Sequence, residues 1–221
     1  MTKYTRLDRK TRHAADMYIN VLEQLGVTDV ANHGLHIETC KDWNDEVSRF
    51  YESQGVMPHD KIIGFNIGSA VPEKRWPAER FADVADYFGN KGYKTVFFGG
   101  PMDLDMVKPV VEQMKTSPIV ATGAFKLGPL AAAMKWCDLL ITNDSGPMHV
   151  AISQGVPIVA LYGPSNPFFY GPYQAKSIVL ESMDHYEIGK SMKQVIKEGK
   201  YKGISVITEE QVIKAAETLL Q

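Results

Sequence analysis

The residues best suited to do chemistry run from Asn143 to His149, Asn-Asp-Ser-Gly-Pro-Met-His, directly after the apolar run Cys137-Asp138-Leu139-Leu140-Ile141-Thr142. This order reads as a buried strand, a tight turn and a helix that starts near Pro147. Proline suits a first helical turn because the amide it lacks would have no partner there. Asp144 or Ser145 can supply a capping oxygen, and Gly146 lets a ligand come close to the backbone. Such a turn gathers free amides and the positive end of a helix dipole, which suits a phosphate. A strand-to-helix junction in any α/β protein can also carry Asp-Ser-Gly for structural reasons alone, so the other loops have to contribute.

They offer matching chemistry. Ser69 and Lys74 follow the apolar run 62–67; Gly99, Gly100 and Asp103 follow 94–98; Phe125 follows 119–121. A lysine, a hydroxyl and a helix start together give a diphosphate its point charge and oriented donors. Asp103 can accept from ribose hydroxyls or cap its own helix, and the two roles are compatible. Phe125, with Leu127 nearby, is either a platform for a base or an anchor for its loop. His149 can bond backbone or ligand, and the helix dipole disfavours its charged form. Lys74, between Glu73 and Arg75, has a solvated loop charge as its plain alternative.

Other chemistry finds less support. Gly-x-Gly-x-x-Gly, the full P-loop pattern Gly-x-x-x-x-Gly-Lys-Ser/Thr and Gly-x-Ser-x-Gly are absent, which weakens dinucleotide, P-loop and hydrolase-elbow readings. Asp103-Leu104-Asp105 has a spacing that divalent ions use, but alternate residues at a helix start are expected to point apart. Binding without a metal or other cofactor is therefore expected. Cys40 and Cys137 match no redox or metal spacing, and His13, His33, His36 and His59 are scattered. A net charge of -2 and a pI near 6.3 argue against a general binder of nucleic acid or membrane surfaces. No apolar run approaches the roughly 20 residues of a membrane helix. The charged start has no apolar segment behind it, so no secretory signal is read and a cytoplasmic location is expected.

The elements that must position these residues follow from periodicity. Residues 11–25 place Ala14, Tyr18, Val21, Leu22 and Leu25 on one helical face, stopped by Gly26. A short strand is possible at residues 35–37 and a helix at 42–53. From Lys61 onward, strands at 62–67, 94–98, 119–121, 137–142, 157–161 and 177–180 alternate with helices at 78–90, 103–114, 127–136 and 148–154. Nearly all-apolar strands alternating with helices predict an α/β fold, a Rossmann-like parallel sheet with helices on both faces. Its ligand would sit beyond the carboxyl ends of the strands. Residues 162–173 read as a loop, residues 186–197 as a helix, and Thr208-Glu209-Glu210-Gln211 as a capping box opening a last helix. Residues 1–59 are expected to be a helical appendage, and 60–221 the Rossmann-like ligand-binding domain.

Gly68-Ser69-Ala70 followed by Lys74-Arg75-Trp76-Pro77, Gly99-Gly100-Pro101 after a strand, and Asn143 to His149 followed by Leu161-Tyr162-Gly163-Pro164 resemble glycosyltransferase family 9. These are the heptosyltransferases of bacterial lipopolysaccharide core synthesis, and the motifs fall in the family's order over roughly residues 60–175. The resemblance implies a GT-B fold, whose C-terminal half this chain resembles, with an ADP-heptose donor and inverting, metal-independent transfer. It implies that Ser69 and Lys74 meet the diphosphate or sugar, with Lys74 the catalytic candidate, and that Gly100 lies in the donor site. It also puts Asp103 at the ribose, where the family usually has Glu, and Phe125 near adenine. Asp144, Ser145, Gly146, Pro147, Met148 and His149 would hold the phosphates and sugar. The lipopolysaccharide-core acceptor and the catalytic base are expected from an N-terminal domain that this sequence lacks, and the complete enzyme could sit at the inner face of the cytoplasmic membrane. The competing expectation is a nucleotide-sugar binding module without turnover; a nucleotide-sugar hydrolase or epimerase is a third.

Overall fold

Runs of Ile, Val, Leu and Phe with almost no polar residue have to be covered on both sides, and they assemble here into one sheet. The structure, a computed structural model, describes residues 12–27, 31–183, 190–199 and 201–221. Strands β1 (Ile62–Asn66), β2 (Lys94–Phe98), β3 (Ile119–Val120), β4 (Leu139–Asn143), β5 (Ile158–Tyr162) and β6 (Ser177–Glu181) lie in the order β3-β2-β1-β4-β5-β6. Every pairing is parallel, and β1 contacts β4 with Phe65 opposite Ile141. The chain builds outward from β1 to β3, then crosses back to lay β4 on the other side of β1. Loops leaving β1 and β4 therefore diverge and open a crevice between them, the switch point where such sheets bind ligands. This is the Rossmann-like α/β architecture that the alternation predicts.

Residue alternation along each strand divides the core in two. Ile62, Val96, Leu140, Ile158 and Ala160 face one layer; Ile63, Phe65, Phe97, Leu139, Ile141 and Val159 face the other. Helices α3 (Ala78–Asn90), α4 (Leu104–Gln113) and α9 (Glu209–Leu220) cover the second face. Helices α2 (Lys41–Ser53), α5 (Leu127–Met134) and α6 (Gly146–Ile152) cover the first. α2 is no appendage: Val47 and Tyr51 are fully buried, the Tyr51 hydroxyl donates to Ala133 O at 3.1 Å, and Trp43 lies where a Cβ on Gly128 would stand. The sequence places a helix here but not its docking partner, which comes from a segment about eighty residues away.

The boundaries of α3 and β2 coincide with those read from periodicity. Residues 35–37 form no strand, and residues 162–173 contain a four-residue helix, α7 (Pro167–Tyr170), opened by proline and capped by Asn166. The helix expected at 186–197 is present as α8 (Met192–Lys197); residues 186–189 lie outside the described residues. Thr208 and Gln211 form the capping box of α9 as its sequence requires. Near the start of the chain, α1 (Ala14–Gln24) buries Met17. Among the described residues no helix is long and apolar enough to cross a membrane.

Candidate functional site

Two asparagines close the inner strands where apolar residues would otherwise continue, and each reaches across the switch point. Asn66, the last residue of β1, has Nδ2 within 3.2 Å of Gly68 O, Thr142 Oγ1 and Ser145 Oγ. Asn143, the last residue of β4, donates from Nδ2 to Ile67 O at 2.8 Å and accepts from Trp76 N on Oδ1 at 3.0 Å. Each loop is thus fixed by the side chain of the other strand. Both asparagines are buried, so these bonds form in a low-dielectric setting where they hold geometry firmly. Trp76 completes the brace: it is buried and its indole N–H donates to Ile207 O at 2.9 Å. Neither asparagine's cross-bonding was read from the sequence; a polar residue at the end of an apolar strand is the signal that could have found it.

A cavity of about 790 Å³ opens above these braces. Of the sequence-predicted residues, Ser69, Gly100, Asp103, Ser145, Gly146 and Pro147 line it, joined by Asn66, Arg75, Met102, Asp105 and Met106. Asp103 serves as a local cap and also faces the cavity: its Oδ2 accepts from Gly100 N at 2.8 Å. Its carboxylate fits because residues 68 and 99 lack side chains, since a Cβ at Gly68 would lie 2.5 Å from Oδ1 and one at Gly99 2.9 Å from Oδ2. Asp105, just past the 3-10 turn Pro101–Asp103, lines the same cavity, so the two carboxyl residues border one space although alternate residues at a helix start are expected to point apart. Met102 and Met106, four residues apart, give this end an apolar wall, a spacing legible in the sequence but not read there.

Lys74 and Asp144 come together as a pair. Lys74 Nζ lies 2.5 Å from Asp144 Oδ2, with the two side chains 19% and 6% exposed. Asp144 also accepts from Ser165 Oγ at 2.6 Å and Tyr162 OH at 3.3 Å, and its carbonyl accepts from Ser69 Oγ at 3.3 Å. A carboxylate with this many donors is a fixed anchor for the ammonium; neither Lys74 nor Asp144 is among the cavity's lining residues, and the pair adjoins it through Ser69. Met148 is fully buried beneath Tyr162 and offers the cavity no surface. His149 is not among the cavity's lining residues. Burial pushes its pKa down, the nearby His13 adds to that, and Asp144 opposes both, so the ring favours its neutral form. Phe125 is likewise absent from the lining: its ring packs edge-on against Phe50 of α2 at 4.9 Å, the position of a loop anchor. Among the described residues no three His, Cys, Asp or Glu side chains gather as metal ligands.

Comparison with known proteins agrees with this geometry. The profile of glycosyltransferase family 9 (heptosyltransferase) matches residues 2–202. Lipopolysaccharide heptosyltransferase 2 of Escherichia coli K12 is 32% identical over 164 residues, which is 72% of this chain and 47% of that protein. A crystal structure of a family 9 glycosyl transferase from Veillonella parvula DSM 2008 superposes with a TM-score of 0.94 at 80% identity, covering 100% of this chain and 63% of the other. The structure of E. coli ADP-heptose lps heptosyltransferase II gives a TM-score of 0.68 at 28% identity, covering 84% of this chain and 53% of that one. The chain spans about half the length of the curated heptosyltransferases it matches. With a profile match over most of its length and an all-parallel sheet carrying the family's motifs at the switch point, the chain belongs to glycosyltransferase family 9.

Proposed function

We propose that the cavity at the carboxyl ends of β1 and β4 binds a nucleotide-sugar, and that this chain is the donor-binding part of a GT-B heptosyltransferase. The donor is ADP-heptose, the sugar is transferred with inversion to a lipopolysaccharide-core-like acceptor, and no metal or other cofactor takes part. The observation that carries the reading is the cavity at the switch point, lined by Ser69, Asp103 and the start of α6 at Ser145, Gly146 and Pro147, with the fixed Lys74–Asp144 pair joined to it through Ser69. A fixed cation suits a diphosphate and a recessed carboxylate suits ribose hydroxyls, so the two ends of a nucleoside diphosphate are complemented in order. The ADP-heptose in the name of the E. coli structure supports the choice of donor. Phe125 keeps its proposed place near adenine only through its loop, since its ring is engaged with Phe50.

In the reaction, an acceptor hydroxyl loses its proton to a carboxylate and attacks the anomeric carbon in line. The bond from that carbon to the diphosphate breaks, and ADP leaves with the electron pair. Lys74 stabilises the charge that grows on the leaving diphosphate, and His149, neutral, bonds the sugar or phosphate. The acceptor and the base belong to the part of the relatives' length that this chain does not span, and the working enzyme acts in the cytoplasm at the membrane's inner face. For the 221-residue chain alone, donor binding without turnover is the second reading, favoured because Asp103 and Asp144 are both committed to internal bonds.

Calorimetric titration with ADP, UDP and GDP tests the site. ADP is expected to bind in preference, with or without a chelator, and Lys74→Ala to weaken it tenfold or more, about 1.4 kcal/mol. In the transferring enzyme Lys74→Ala should cost about a hundredfold in rate. A folded chain that binds none of the three nucleotides overturns the reading.

A further inference from the structure

We propose that Tyr201 is a positioning residue for Lys74: its hydroxyl fixes the peptide from which Lys74 springs, and so sets where the ammonium stands beside the nucleotide cavity. The inference rests on the nucleotide-sugar reading above, and in particular on the role given there to Lys74. It starts from one carbonyl. The 3-10 turn Pro72–Lys74 is closed by Lys74 N to Val71 O at 3.0 Å and by Arg75 N to Pro72 O at 2.9 Å. Glu73 O cannot continue this pattern. The amide three residues on, Trp76 N, is given to Asn143 Oδ1, and the next residue, Pro77, has no amide hydrogen. A backbone carbonyl without a helical partner takes its donor from elsewhere in the chain. Tyr201 brings that donor, its hydroxyl donating to Glu73 O at 2.6 Å. The pKa of Tyr201 is raised, chiefly by burial, so the hydroxyl keeps its proton and stays a donor.

Two further observations tie this bond to the site. Gly163, in the loop after β5, lies against both of its atoms: a Cβ there would stand 2.8 Å from the Tyr201 hydroxyl oxygen and 2.9 Å from Glu73 O. The same loop carries Ser165, whose Oγ donates at 2.6 Å to Asp144 Oδ2, the oxygen that Lys74 also meets. One loop therefore governs both members of the pair, Asp144 through Ser165 and Lys74 through the space that Gly163 leaves for Tyr201. The segment 201–207 is also fastened along the stretch that follows Lys74. Trp76 Nε1 donates to Ile207 O at 2.9 Å, and Arg80 Nη1 donates to Ser205 O at 2.7 Å and to Ile207 O at 2.8 Å. With Ile204 and Ile207 buried in the core, this segment is a fixed support. Asp144 holds the tip of the Lys74 side chain and Tyr201 holds its root, which matters because a flexible four-carbon stem magnifies any rotation of the peptide that bears it. Tyr201, Glu73 and Gly163 are not among the cavity's lining residues, so Tyr201 acts through Lys74 and not on the ligand.

The test is calorimetric titration of ADP into the 221-residue chain as wild type, Tyr201→Phe, Lys74→Ala and the double variant, with ADP carried to concentrations that saturate the alanine forms. Tyr201→Phe removes one oxygen from a segment that Ile204 and Ile207 keep in the core, and thermal unfolding checks that each protein is folded. Tyr201→Phe is expected to weaken ADP at least threefold in the wild-type background. Once Lys74 is alanine it should change the affinity by less than twofold, because nothing is left to position. A merely structural role would carry the same loss into both backgrounds. Gly163→Ala, which crowds the same bond from the other side, should also weaken ADP at least threefold. If Tyr201→Phe or Gly163→Ala keeps full affinity, or if Tyr201→Phe costs one factor with and without Lys74, the inference fails while the reading of Lys74 stands. If Lys74→Ala binds ADP as wild type does, or the folded wild type binds none, the reading beneath the inference has failed, and those two titrations show it by themselves.

Discussion

Asp103 fills a space that exists only because its neighbours at positions 68 and 99 have no side chain, and that makes Gly68 a sensitive probe of the site. A Cβ at Gly68 would stand 2.5 Å from Oδ1 and 2.7 Å from Cγ, closer than any real contact allows. Gly99 lies against the same carboxylate, so a methyl at position 68 has to push it out of its place between the two glycines, toward the cavity it lines. Gly68→Ala is expected to expel it, costing the Gly100 N–H its acceptor, about 1 kcal/mol for a lost cap, and weakening ADP at least tenfold. Asp103→Ala should do the same, and the double substitution should be no worse than either alone, because both remove one interaction. Additive losses in titrations of the three variants would show that Gly68 acts by another route. The cap role of Asp103 was legible in the sequence, because it follows from a carboxylate at a helix start after a strand, and the ribose role proposed for it rests on the same placement. Its glycine box was not, since Gly68 and Gly99 come from different loops. Arg75 escaped for a related reason: in Glu-Lys-Arg-Trp the two cations look interchangeable, and only the fold shows that Lys74 turns to Asp144 while Arg75 faces the cavity.

Between elements, the same logic of one side chain serving another segment's backbone recurs away from the site. Asp86 on α3 is 9% exposed and receives Lys115 N at 2.8 Å, Thr116 N at 2.8 Å and Thr116 Oγ1 at 2.6 Å, tying α3 to the turn that follows α4. Gly89, one turn along α3, leaves room for Thr116 to come this close. Burial alone would raise the Asp86 pKa, but these hydrogen bonds together outweigh it and the net shift is downward from 3.8. A carboxylate whose folded pKa is lowered stabilises the fold fully above its ordinary value and ceases to do so as pH falls through the lowered one. Asp86→Asn is therefore expected to cost about 2 kcal/mol at pH 7, the scale of a buried hydrogen bond to a charged group. That difference from wild type should narrow below pH 4. Urea unfolding of both proteins at pH 7, 5 and 2.5 measures it, and a difference that stays constant to pH 2.5 would refute the linkage. At this scale periodicity read α3 and β2 to the residue, because both carry a strong apolar pattern and clear stops. It read through α7, which is too short to show a period inside a Gly- and Pro-rich segment.

For the molecule as a whole, the two core layers against the sheet and the docking of α1 differ in kind. The layers bury entire side chains, with Phe65, Phe97, Leu140 and Ile141 inaccessible to water. α1 buries Met17, yet the face that periodicity marked as apolar turns outward, with Tyr18 68%, Leu22 42% and Leu25 53% exposed. A hydrophobic period identifies a face, not its partner, and here the helix is held chiefly by polar contacts at its start. His13 accepts from Ala15 N on Nδ1 at 3.1 Å, donates from Nε2 to Gly171 O at 3.1 Å and stacks on Tyr173 with ring centres 4.6 Å apart. Asp16 accepts from the Tyr173 hydroxyl and from Asn32 Nδ2. Contacts of this kind, partly open to water, are each worth about 1 kcal/mol, while truncating a buried Leu costs roughly 2–5 kcal/mol. α1 should consequently detach by local opening well below the free energy that unfolds the sheet. Amide exchange under conditions where closing outpaces exchange should give peptides from α1 at least a hundredfold less protection than those from β1, β4 and β5, about 2.8 kcal/mol. Met17→Ala should lower the protection of α1 and leave the Tm nearly unchanged, whereas Leu140→Ala should lower the Tm and spare the ranking. Protection of α1 equal to that of β4 would mean that its polar anchors unfold only with the core, and that the outward apolar face costs the helix nothing.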